Sequence, residues 1–126
     1  MAKAQVPARF RQWRVCRLNL TPPGTAAPVA PLVVVLSADN SNRVHGSAVV
    51  SEVIRFSGRE LGPTEVRLSS QEVGQEVEGV MDTAHLMTVP LGTLVEEAGR
   101  LGGEGIAKAR AALVLAFEDD AWRGTL

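Results

Sequence analysis

The chain is poor in residues that cross-link or stack. Its 126 residues include a single cysteine, Cys16, no tyrosine, two tryptophans and three phenylalanines. One cysteine cannot close an internal disulfide, so a reducing cytoplasm is the expected compartment. The two histidines, His45 and His85, stand far apart, and no Cys/His cluster has metal-ligand spacing, so no metal or cofactor is expected. Phosphate-cradling loops of the G-x-x-x-x-G-K and G-x-G-x-x-G types are missing. No apolar run approaches the ~20 residues that cross a bilayer. The opening MAKAQVPARFRQWR has charge but lacks the apolar segment of a secretory signal. No membrane partner is therefore expected.

What remains is an ordinary globular composition. The length suits one domain over residues 1–126, with 1–10 and 118–126 read as flexible tails. A chain of this size buries roughly two thirds of its unfolded surface, enough for one core. Net charge is −1, but it is unevenly spread. Residues 1–60 hold eight Lys/Arg against three acids, and residues 61–126 hold five against eleven. A basic first half favours a local positive face for phosphate, unless folding interleaves the halves and cancels it.

Periodicity gives the elements. Residues 12–20, QWRVCRLNL, alternate with Cys16, Leu18 and Leu20 on one face, a half-buried strand. The uncharged, Pro- and Gly-rich 21–31 reads as a loop. LVVVLS (32–37) is a β-branched run of a central strand buried on both faces. ADNSNRVHG (38–46) is turn chemistry with room for one helical turn. Strands follow at 47–56, at 64–70, near 77–81 and near 85–89. Residues 90–103 read as a short helix, with Pro90 in its first turn and Gly102-Gly103 as its stop. A second helix spans 104–117, with Ile106, Ala109, Leu113 and Phe117 as an apolar stripe. Strands followed by helices make the class α+β, a small antiparallel barrel or sheet with a C-terminal helix.

This order, with its landmarks, resembles the MazF/PemK toxins, which share a fold with the CcdB gyrase poisons. WRVCRLNL, PLVVVLSADNSNR, SAVVSEVI, TEVRL, GVMDTAHLMTVPLGTL and LGGEGIAKARAALVLAF match successive elements of that family over about residues 12–117. The resemblance implies a homodimeric toxin that cuts single-stranded RNA without a metal and is silenced by an antitoxin peptide. It also implies an SH3-like barrel carrying an Arg just before the Pro of the central strand and a Thr at the end of the third. Here Ala30 and Ile54 occupy those positions, and Arg11-Gln12-Trp13 replaces the opening Arg-Gly-acid signature.

Transfer of an RNA 2′-oxygen to phosphorus needs a proton acceptor and a cation for the developing charge. Arg55 and His45 are the catalytic candidates, and Arg14, Arg17, Arg43 and Arg59 the candidates for holding RNA. His85 falls where the family often has a Gln near its dimer interface and reads as a structural histidine. Three functions stay open at this point: an RNA-cutting toxin with altered catalytic groups, a catalytically silent module that dimerises or binds an antitoxin or nucleic acid, and a CcdB-like topoisomerase poison. The last draws on the tail residues Trp122 and Gly124.

Overall fold

The computed structural model describes residues 7–21 and 30–118. The tail residues Trp122 and Gly124 and most of the Pro/Gly-rich loop lie outside them. Seven strands form one antiparallel sheet: β1 (Arg14–Leu18), β2 (Leu32–Val35), β3 (Ser47–Arg55), β4 (Glu65–Leu68), β5 (Gly79–Asp82), β6 (Met87–Pro90) and β7 (Leu94–Arg100). Their order is β4-β5-β3-β2-β1-β7, with β6 also on β3. Three helices join them: α1 (Asp39–His45), α2 (Ser70–Val73) and the C-terminal α3 (Gly103–Phe117). The sheet is open.

Strand alternation sorts the apolar residues into two cores. Val15, Leu32, Val34, Val53, Val66, Leu68 and Met81 share one cluster with Ala109 and Ala112 of α3. Cys16, Leu18, Val33, Val35, Ala48, Val50, Val89 and Leu94 form the other. The Val run of β2 feeds both, which is why it carries no polar residue. Residues 8–10, at the edge of the expected N-terminal tail, form a 3-10 turn whose Phe10 packs on the second cluster.

Three sequence expectations change. The first strand is shorter than 12–20, and Leu20 beyond it is exposed. Phe117, expected on the buried stripe of α3, is 70% exposed. Ile106, Ala109 and Leu113 do face the core.

The largest change concerns residues 90–103, expected as a helix. Pro90 ends β6, Leu91–Thr93 make a 3-10 turn, and Leu94–Arg100 form β7 on the outer edge of β1. The edge of β1 presents unpaired backbone groups, and pairing them outweighs the modest helix propensity of Leu-Val-Glu-Glu-Ala. Glycine makes the position possible. A Cβ on Gly99 would collide with the Glu72 carbonyl of α2, and one on Gly74 with the Ala98 carbonyl. The α2 turn thus lies backbone to backbone on β7.

Two polar devices fix the connections. Asn42 of α1 is fully buried and donates to the carbonyls of Phe10 (2.9 Å) and Ser37 (3.1 Å), and its own amide oxygen accepts from the Ser37 hydroxyl. Glu72 caps two helices. One carboxylate oxygen accepts the Ser69 N–H (3.0 Å) in a capping box, and the other accepts the Gly102 N–H (2.9 Å) at the start of α3.

Candidate functional site

The strand β3 changes partner along its length. Ser47–Val50 pair with β6, whereas Val53–Arg55 pair with β5. The turn between β5 and β6, residues 83–86, therefore hangs over the middle of β3. Buried Ser51 holds it, its hydroxyl 2.8 Å from the Asp82 carbonyl oxygen and 3.2 Å from that of His85. Asp82 organises the rest of the turn. One carboxylate oxygen accepts the Ala84 N–H (2.9 Å) and the Thr64 hydroxyl (2.8 Å), and the other lies 2.9 Å from Nδ1 of His85. Partial burial alone would raise the Asp82 carboxyl, but these hydrogen bonds outweigh it and hold the group below its ordinary range.

Beside this turn is a cavity of about 280 Å³, lined by Ile54 and Val80, by Glu52, and by Arg59, Asp82 and His85. Glu52 and Ile54 lie two apart on one face of β3, so both look into it. Arg59 makes a two-pronged pair with Glu65, at 2.9 Å on one side and closer still on the other. That hydrogen bonding, with a second from the Gly62 N–H, lowers the Glu65 carboxyl to about 2. The His85 side chain is 85% exposed. With Nδ1 turned to Asp82, its Nε2 is left facing outward, the arrangement of an imidazole that takes or gives a proton.

A smaller cavity of about 190 Å³ adjoins the first across Ile54, which lines both. Leu32, Val53, Arg55, Gln75 and Glu78 border it. The β2–β3 register pairs Leu32 with Val53, and continued by two residues it sets Ala30 opposite Arg55 and Pro31 opposite Ile54. The positions of Ala30 and Ile54 therefore meet at one end of the sheet. A cation reaches this end from the neighbouring strand: Arg17 of β1 donates to the Ala30 carbonyl (3.0 Å) and to Gln75 Oε1 (3.4 Å).

The sequence candidates are only partly brought together. Arg55 and Arg59 each line a cavity beside Ile54, and Arg17 reaches the same end. His45 closes α1 at the other end of β3, its Nδ1 3.0 Å from the Ser41 carbonyl oxygen. Eight steps of ~3.3 Å separate the ends of β3, so His45 and Arg55 do not share a site. Arg43 is exposed on α1 and donates to Asn40 (2.7 Å). Arg14 pairs with Glu97 at 2.9 Å. The Arg14–Glu97 and Arg59–Glu65 pairs each join the basic first half to the acidic second half, so folding cancels part of the charge asymmetry.

The histidine at Ile54 is His85. Its one sequence signal was Asp82-Thr83-Ala84-His85, where an Asp can bond its own turn. That signal does not say which strand the turn overhangs. Among the described residues no group of three His, Cys, Asp or Glu side chains is placed to hold a metal ion, and no helix is long and apolar enough to cross a membrane.

No family model and no curated protein sequence matches the chain. Solved structures do. It is similar to an endoribonuclease in complex with its cognate antitoxin from Mycobacterial species, at 20% identity, over 84% of this chain and 92% of that one, with a TM-score of 0.67. The toxin MazF-mt6 of Mycobacterium tuberculosis is 21% identical over 85% and 98%, with a TM-score of 0.66. MazF from Deinococcus radiodurans is 21% identical over 83% and 93%, with a TM-score of 0.63. An antiparallel sheet of seven strands closed by a C-terminal helix, superposable on these chains over most of its length, is the MazF fold.

Proposed function

We propose that this chain is a MazF-type toxin that cuts single-stranded RNA at the end of β3, acts as a homodimer in the cytoplasm, and is silenced by an antitoxin peptide. The fold is that of RNA-cutting toxins, and structures of this fold include toxin–antitoxin complexes. The observation that carries the catalytic part is the His85 imidazole, fixed by Asp82 beside the cavity at Ile54. In this reading His85 Nε2 takes the 2′-hydroxyl proton of the bound RNA. The O2′–phosphorus bond forms as the phosphorus–O5′ bond breaks, and water protonates the leaving O5′. The products are a 2′,3′-cyclic phosphate and a 5′-hydroxyl end. Arg55 and Arg17 are the cations available to the phosphate, while Arg59 lines the cavity beside it and meets the RNA there. His85 takes the role assigned from sequence to His45, while Arg14 and Arg43 serve only the outer backbone of the RNA.

Ala30 and Ile54 favour the second reading, a scaffold that binds partners without cutting, because neither side chain neutralises a phosphorane or donates a hydrogen bond. One assay separates the two. Purified protein is incubated with a long single-stranded RNA in EDTA and the fragments are sized. Discrete fragments, lost by about 10²–10⁴-fold in His85→Asn and unchanged in His45→Asn, support cleavage at this site. RNA binding without fragments supports the silent module.

A further inference from the structure

The cavity beside Ile54 has an electrostatic character that phosphate binding does not explain. Glu65 is neutralised by Arg59, and Asp82 is engaged by Thr64, Ala84 and His85. That leaves Glu52, exposed at the cavity wall and without a hydrogen bond or ion pair among the described residues. An uncompensated carboxylate repels a phosphate and attracts groups that donate hydrogen bonds. The floor offered by Ile54 and Val80 is apolar, and Ile54 is 51% exposed. At about 280 Å³ the space is smaller than the ~300–1,000 Å³ of drug-sized sites and admits a single base.

The chemistry of the four bases then selects one. A carboxylate accepts two parallel hydrogen bonds when two donors stand side by side. On the pairing edge of guanine, N1–H and the N2 amino group are adjacent donors. Adenine and cytosine each set one donor beside a ring-nitrogen acceptor, and uracil flanks its one N–H with two carbonyls. Those acceptors would face the Glu52 oxygens and repel them. Guanine also carries O6 next to its two donors. The Arg59 guanidinium has five N–H groups, and its bonds to Glu60 and Glu65 leave donors to spare for that oxygen.

We infer that this cavity reads a guanine, with Glu52 accepting from N1–H and N2–H, Arg59 donating to O6, and the base lying on Ile54 and Val80. Glu52 is thus a specificity-determining residue of the RNA-cutting reading proposed above, although guanine recognition itself does not depend on cleavage. The same chemistry fits a guanine in an RNA strand or in a free nucleotide. The negative Glu52 disfavours phosphates crowded at the cavity, so the strand is the better occupant.

The test uses the only two isoleucines of the chain, Ile54 at the cavity and Ile106 on α3. Protein with labelled isoleucine methyls is titrated with guanosine, inosine, adenosine, cytidine and uridine, then with GTP and with short RNAs containing or lacking G. Guanosine is expected to shift the Ile54 methyl and leave Ile106 unmoved. Inosine, which lacks the N2 amino group, is expected to bind about 10- to 100-fold more weakly. Glu52→Gln and Glu52→Ala are expected to abolish the preference without unfolding the protein, since Glu52 supports no other group. An unmoved Ile54 signal, or equal shifts with all nucleosides, overturns the inference. A guanosine shift without RNA cleavage leaves the guanine site standing and removes the cutting reading. Cleavage of G-free and G-containing RNAs at equal rates does the reverse. GTP binding more tightly than the G-containing RNA would reassign the site to a free nucleotide.

Discussion

Arg59 and Glu65 show how much of this site is held by single pairs. The Glu65 carboxyl is lowered to about 2 from its ordinary 4.5, first by the Arg59 hydrogen bond. A depressed carboxyl stabilises the fold above its unfolded value and loses that contribution as the pH falls toward its folded value. The Arg59–Glu65 contribution is therefore complete above about pH 4.5 and disappears between there and about pH 2. Acid titration followed by circular dichroism is expected to show wild type losing stability across this window. Arg59→Ala should lose less there, and high salt should bring the two curves together because the pair is exposed. Cys16 sits at the other extreme. Burial first, then the Glu97 charge, pushes its thiol up to about 12, so it stays an unreactive core residue, as its alternation with Leu18 implied.

At the scale of elements, the connections decide more than the strands. Strands β2 and β3 were legible because a Val run and alternating apolar residues admit few other readings. The β7 segment was not, since nothing within 90–103 records that β1 has a free edge to fill. Glu72 was equally opaque. It reads as the third position of a capping box for α2, yet its second oxygen caps α3, 30 residues on. Glu72→Ala leaves the Ser69 and Gly102 N–H groups without their acceptor. It is expected to cost about 1–2 kcal/mol, near the upper range for loss of one cap. Urea unfolding should report this as a lower midpoint with an unchanged slope. A Glu72→Gln variant, which keeps an acceptor oxygen, should recover part of it.

For the molecule as a whole, the sheet order sets the start of β2 beside the end of β3 and hangs the β5–β6 turn over the middle of β3, next to Ile54. The cavities on either side of Ile54 exist only because of that convergence. In the proposed reading a second copy completes the RNA groove, which makes oligomeric state a direct test. Light scattering during size exclusion should give twice the 13.4 kDa of one chain across micromolar concentrations. A single-chain mass at all concentrations would count against a toxin that works as a pair.

Much of the fold was written in local pattern. The α+β class, the central strands, the closing helix and the resemblance to MazF/PemK toxins all follow from alternation, turn residues and their order along the chain. The candidate site was legible only as two positions, Ala30 and Ile54, which the resemblance marks; that they meet follows from the β2–β3 register. Which side chains stand there depended on contacts between residues distant in sequence. The β5–β6 turn brings His85 over β3, Arg17 reaches across from β1, and His45 is carried to the far end of the same strand. Local sequence sets the conformation of each segment, but long-range strand pairing determines which segments share a cavity.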